Sequence, residues 1–247
     1  MIPNTIHYCW ISGDPYPELI GKCIQSWRMN LPNYQFVLWD RVKAETIESE
    51  WLKQTIALKK YAFAADFIRI YALSQYGGVY LDADVELVAS FDPFLHHDFF
   101  IGSEYNNDLE PAVFGAIAGH PWLKDLLGYY RNRSFIKSDG TLDVRTLPNI
   151  FNETAFKRFG FKSNGKFRLI NSEGIAIYPC DYFSPKNNYS KRIKRTLNTV
   201  AIHHFDSNWF QKNGKYILKQ IFHQLLIRLG GKTFHNQIIQ LVRKINR

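Results

Sequence analysis

The 247-residue chain is 46% hydrophobic and 16% aromatic, which supports a sizeable buried core and excludes disordered, collagen-like and coiled-coil classes. Its net charge of +9 is lopsided: the segment 207–247 holds eight Lys or Arg and no Asp or Glu, leaving the body near neutral. Cys9, Cys23 and Cys180 lie far apart and form neither a disulfide framework nor a metal-ligand spacing, so buried thiols are expected.

The N-terminal stretch lacks the basic and apolar regions of a signal peptide, and no window offers the ~20 apolar residues of a spanning helix. A cytoplasmic protein is expected. β-branched and aromatic residues predict strands over Thr5–Ile11 and Tyr34–Trp39, the second entered through the turn-forming Leu31-Pro32-Asn33. Between them Leu19–Met29 places Leu19, Ile20, Cys23, Ile24 and Trp27 at helical spacing. A helix over Tyr61–Tyr76 stops at Gly77-Gly78, where glycine tolerates positive φ. The apolar strand Val79-Tyr80-Leu81 then runs into Asp82-Ala83-Asp84, and apolar alternation resumes over Val85–Val88. Further strands are expected at Phe99–Gly102, Val113–Ala118, Ile175–Tyr178 and Val200–His203, with helices at Pro121–Asn132 and Leu147–Phe159. This alternation predicts an α/β fold with one domain over residues 1–210. Residues 211–247 read as two short amphipathic basic helices.

Two aspartates at the carboxyl end of an apolar strand stand where α/β sheets hold ligands. Their hard oxygens suit Mg2+ or Mn2+, ions that keep positions open for substrate phosphates. The same spacing opens the DxDx[TV] motif of haloacid-dehalogenase phosphatases, but Glu86 occupies the place of Thr or Val. The basic tail adds a second alternative, a nucleic-acid-binding module.

The run from Asp66 to Asp84, D-x-x-R-x-x-x-L-x-x-x-G-G-x-Y-x-D-x-D, resembles the sugar-binding DXD region of glycosyltransferase family 32. Ile2-Pro3, Ile6-His7, Trp10, Gly119-His120-Pro121, Tyr178-Pro179, Tyr182-Phe183-Ser184-Pro185 and Ile202-His203-His204 extend the likeness. The resemblance implies a GT-A fold, a Rossmann-like mixed sheet in an α/β/α sandwich. It further implies a nucleotide-sugar donor, UDP-sugar ahead of GDP-sugar, with Mn2+ or Mg2+ and retention of anomeric configuration. The implied acceptor is a lipid-linked glycan in bacterial capsule, lipopolysaccharide or exopolysaccharide synthesis.

By resemblance, Asp84 is the direct metal ligand, and Asp82 touches metal-bound water, ribose and sugar. Asp66 and Arg69 hold sugar hydroxyls and phosphate, which their i,i+3 spacing on one helix face permits. Trp10 stacks on the nucleotide base, with Cys9 beside it in the donor site, and His203 is a further metal or diphosphate ligand. Adjacent strand residues point to opposite faces, so at most one of His203 and His204 serves, and His203 is expected. Asp40, just after Leu38-Trp39, sits where α/β proteins meet a ribose. Two departures from the resembling pattern stand out: Glu110-Pro111-Ala112 where an Asn is expected, and Thr146-Leu147-Pro148 in place of Thr-Gly-Pro. Transfer by front-face departure is expected; a covalent route would need a carboxylate such as Glu104 or Glu110 under the anomeric carbon. The basic tail is expected to meet anionic headgroups on the inner face of the cytoplasmic membrane.

Overall fold

A computed structural model describes residues 1–206 and scattered positions between 222 and 242. Most of the tail expected to form helices over 211–247 lies outside the described residues. In chain order the elements are β1 (Thr5–Cys9), α1 (Glu18–Asn30), β2 (Gln35–Trp39), α2 (Arg41–Glu45), α3 (Glu50–Ala57) and α4 (Tyr61–Tyr76). β3 (Gly78–Leu81), β4 (Val85–Leu87), β5 (Phe99–Ser103), β6 (Leu109–Ala116), α5 (Pro121–Tyr130) and α6 (Leu147–Phe159) follow. The series closes with β7 (Arg168–Ile170), β8 (Ile175–Tyr178), α7 (Cys180–Phe183) and β9 (Ala201–His203).

Large apolar residues alternate along the strands and split into two cores, one on each face of the main sheet. Tyr80, Phe99, Ile101, Ile175 and Ile177 face the helices α3, α4, α5 and α6. Their neighbours Val79, Leu81, Phe100, Ala176 and Tyr178 face α1 and α7. With both faces covered, the central strands β3, β5, β6 and β8 are buried along their whole length, as an α/β sandwich requires. The sheet has seven strands in the order β2-β1-β3-β6-β5-β8-β7. β1 runs parallel to β2 and β3, β5 parallel to β8, while β6 and β7 are antiparallel to their neighbours.

β4 and β9 leave this sheet and pair with each other as a separate antiparallel ribbon, Val85 opposite His203 and Leu87 opposite Ala201. α1 braces that ribbon from behind. The buried Trp27 donates its Nε1–H to the Val85 carbonyl at 2.6 Å, and Ser26 Oγ accepts the Leu87 N–H at 2.9 Å. Both bonds sit in the core, where an unpaired strand group would be costly.

Four short elements were not visible in the apolar spacing: α2, α3, β7 and α7. The first two are started by caps, Asp40 accepting the Lys43 N–H and Ser49 accepting the Leu52 N–H. β6 begins four residues before its expected start, because it carries Pro111 at a point where its register with β5 shifts between Ile101 and Gly102. Among the described residues no helix is long and apolar enough to cross a membrane.

Candidate metal and nucleotide-sugar site

α4 stops at Gly77, whose N–H caps the helix on the Leu73 carbonyl at 2.9 Å. Gly78 then enters β3 at φ +111°, and a Cβ there would stand 2.5 Å from the Thr5 carbonyl oxygen. Only glycine allows β1 and β3 to approach this closely. β3 delivers Asp82, whose N–H is held by the Ala112 carbonyl at 2.9 Å; a turn closed by Val85 N–H on the Asp82 carbonyl at 3.0 Å follows. Asp84 lies in that turn.

Pairing of β4 with β9 brings the far end of the chain to the turn. His203 Nε2 lies 3.4 Å from Asp84 Oδ1, and one ligand atom from each of Asp82, Asp84 and His203 can be chosen so that all lie within 4.8 Å of one another. The Asp206 N–H donates to Asp84 Oδ2 at 2.8 Å, and the His204 N–H to the Asp84 carbonyl at 3.0 Å. The His204 ring turns away to Glu86 at 2.9 Å, so the structure brings His203, not its neighbour, to the aspartates.

Burial alone would raise the Asp84 carboxyl, but the His203 charge and the Asp206 N–H outweigh it and hold it down at about 2. Burial works against the His203 imidazolium, yet Asp84, Glu110 and Asp82 raise it to about 9. This donor set, two carboxylates and an imidazole converging on one point, fits a divalent cation. His203 Nδ1 is moreover buried without a hydrogen-bond partner.

Arg69 is buried and turns its guanidinium inward. Nε donates to the Ala65 carbonyl at 3.3 Å, Nη1 to Asp82 Oδ2 at 3.2 Å and to the Pro111 carbonyl at 2.9 Å. Nη2 pairs with Asp82 Oδ1 at 2.9 Å and Asp66 Oδ1 at 3.2 Å, and the group lies over the Tyr80 ring. Here the geometry departs from the expectation of a phosphate-holding arginine: the N–H groups are already directed at protein oxygens. Burial raises Asp66 to about 6 despite Arg69, and raises Asp82 as well. The second Asp66 oxygen accepts the Leu147 N–H at 3.3 Å, and Asp82 Oδ1 accepts the Tyr80 hydroxyl at 3.1 Å.

Asp82 and Asp84 line a cleft of about 330 Å3, within the range of small-molecule sites. Trp10, Asp14, Tyr61 and the small Ala62 and Ala65 line it. Trp10 is fixed by its Nε1–H on the Asp14 carbonyl at 2.7 Å and by an edge contact with Tyr16. Cys9 lines the cleft, its thiol pushed up to about 12 by burial. Asp40 lies outside the lining, and its carboxylate caps α2 instead of facing the cleft. Sequence spacing did not single out Asp206, which lines the cleft and secures Asp84, or the Tyr80 hydroxyl; an acidic residue two positions past the paired histidines was the available signal.

Residues 17–101 match the family model described as a glycosyltransferase sugar-binding region containing the DXD motif. The chain carries a glycosyltransferase DXD region. It is 28% identical over 197 residues to mannosyl phosphorylinositol ceramide synthase SUR1 of Saccharomyces cerevisiae, covering 74% of this chain and 50% of the relative. It is 26% identical over 200 residues to an uncharacterized glycosyltransferase of Acanthamoeba polyphaga mimivirus, covering 76% and 77%. The chain thus spans about half the length of its yeast relative. The solved structure of PaToxG glycosyltransferase superposes with a TM-score of 0.51 at 19% identity, over 64% of this chain and 70% of that one. At that identity the likeness speaks to fold alone, and the fold is GT-A.

Proposed function

We propose that the chain is a metal-dependent glycosyltransferase that moves a sugar from a nucleotide-sugar donor to a hydroxyl of a lipid-linked acceptor. The observation that carries this reading is the Asp82, Asp84 and His203 cluster, whose two aspartates line a cleft shared with Trp10. When bound, a divalent cation supplies charge neutralisation for the departing diphosphate. Asp84 and His203 would hold it directly, with Asp82 completing the set, and an imidazole ligand favours Mn2+ over Mg2+.

The chain's own groups do the rest. Trp10 offers a pre-set face for the nucleotide base. Arg69 aligns Asp66 and Asp82, so that their remaining lone pairs meet ribose and sugar hydroxyls. Glu104 is pushed up to about 8 by burial and by Glu110 and Asp108, hence mostly protonated at neutral pH and a poor nucleophile. Within a retaining reading this speaks against Glu104 as a covalent nucleophile and for front-face transfer, in which the departing phosphate takes the acceptor proton. A phosphatase would need Asp82 as a nucleophile, yet Arg69 and Tyr80 engage both its carboxylate oxygens.

A lipid-linked acceptor is supported by the yeast relative, whose name gives a ceramide product bearing mannose, and mannose becomes the first sugar to test. The relatives above are fungal and viral, so the capsule and lipopolysaccharide setting is not carried into the proposal. The basic segment 211–247 would hold such an enzyme at anionic headgroups. Liposome co-sedimentation with and without that segment tests this part, and equal binding would end it.

The central test is a screen of UDP- and GDP-sugars with Mn2+ or Mg2+, scoring donor hydrolysis. Asp84→Asn is expected to lose at least ~100-fold, the scale of losing a leaving-group stabiliser. Undiminished activity in that variant, or in EDTA, would refute the metal-dependent reading.

A further inference from the structure

His203 presents two nitrogens to two different carboxylates. Nε2 faces Asp84 Oδ1 at 3.4 Å, and Nδ1 faces Glu110 Oε1 at 3.8 Å. Nδ1 is buried and lacks a hydrogen-bond partner, although an acceptor stands less than an ångström beyond bonding range.

The neutral imidazole has one N–H and one lone pair. A cation takes the lone pair, so the proton must sit on the other nitrogen and needs an acceptor there. Glu110 is built for that place. It is buried in β6, and its Oε1 accepts the Ala112 N–H at 3.1 Å, which pins the carboxylate to its own strand. The next two residues hold the other half of the site: the Pro111 carbonyl accepts Arg69 Nη1, and the Ala112 carbonyl accepts the Asp82 N–H. One three-residue strip therefore sets Arg69, Asp82 and Glu110 relative to one another. Glu110 thus brings a buried carboxylate to face the imidazole at 3.8 Å.

We propose that Glu110 is a positioning residue of the metal centre. Its carboxylate takes the His203 Nδ1–H, fixing the tautomer and ring angle that leave the Nε2 lone pair facing Asp84. The inference rests on the metal reading above and adds the residue that makes His203 a ligand.

The test is Mn2+ binding to the full chain without donor, followed by electron paramagnetic resonance of the free ion. The wild type should bind and Asp84→Asn should not, which secures the metal reading by itself. Glu110→Leu is expected to weaken binding about 100-fold, and the isosteric Glu110→Gln about 10-fold, since an amide oxygen accepts without charge. In donor hydrolysis the Gln variant should need about 10-fold more Mn2+ for half-activation yet regain wild-type kcat at saturation. If Glu110→Leu fails to fold, the Gln variant decides. Unchanged Mn2+ affinity in Glu110→Gln overturns the proposal, and a lower kcat at saturating Mn2+ with unchanged affinity would place Glu110 on the sugar instead. A wild type that binds no Mn2+ would sink the metal reading first and this role with it.

Discussion

The carboxylate of Asp84 accepts the backbone N–H of Asp206 at 2.8 Å, a bond across 122 residues. The neighbouring His203 ring approaches the other oxygen of the same carboxylate. Asp84 is therefore both a candidate ligand and the post on which the end of the continuous stretch 1–206 is fastened, which makes its protonation and that of His203 informative titrations.

His203 is raised from 6.5 to about 9 in the metal-free protein, so a cation must displace its proton. Mn2+ affinity should rise from pH 6 to about 9, with roughly one proton released per ion at pH 7. Calorimetry in two buffers of different ionisation enthalpy measures that release. Stability of the metal-free protein runs the other way. A raised histidine contributes fully below 6.5, and the contribution is lost as pH climbs through about 9. Melting curves should show this decline, and His203→Gln should flatten it. At the acid end Asp84, held down from 3.8 to about 2, contributes above 3.8 and loses its contribution as pH falls through about 2.

Replacing Arg69 by Met would leave Asp66 and Asp82 buried without their counter-charge. A loss of about 3–5 kcal/mol in urea unfolding is expected at pH 8. At pH 5 the loss should shrink, because Asp66, already at about 6 beside Arg69, is then protonated and needs no partner. Arg69→Lys keeps the charge without the fork and should fall between the two.

Trp10 lies half-buried in the cleft lining, so its removal should spare the fold and cost the ligand. Trp10→Ala is expected to weaken nucleoside diphosphate binding by ~1–3 kcal/mol, the range of a base stacked on an aromatic ring. Titration of UDP and GDP measures it, and a melting temperature close to wild type separates the loss from unfolding.

Gly78→Ala should be more damaging than its size suggests. The added methyl would press on the Thr5 carbonyl, and the φ of +111° is foreign to alanine. Destabilisation of about 2–4 kcal/mol is expected in denaturant unfolding. Wild-type stability in this variant would mean that β1 and β3 can part without cost.

The stretch from Tyr61 to Asp84 was legible in the sequence because each of its signals is local: helical periodicity, a glycine stop, an apolar strand and acidic residues at its end. The caps at Asp40 and Ser49 start helices too short for periodicity to reveal. In the case of Asp40 the capping bond occupies a carboxylate that its position after β2 had suggested for a ribose. The β4–β9 ribbon was hidden because nothing near Val85 in the chain announces a partner at His203. The i,i+3 spacing of Asp66 and Arg69 does bring them together at 3.2 Å, but the direction of the other Arg69 N–H groups depends on Asp82 and Pro111, thirteen and forty-two residues away.

That ribbon also sets a schedule for synthesis. A nascent chain exposes Asp82 and Asp84 while the residues that answer them, His203 and Asp206, are still to be made. At about 5–20 residues per second the wait across 122 residues is roughly 6–24 s. Through that interval the ribosome-bound chain holds two carboxylates and no third ligand, so an early-arriving cation finds only a weak, water-rich foothold. The candidate metal cluster is thus among the last parts of the described sheet and ribbon to be assembled, and a chain released before residue 203 would lack its imidazole.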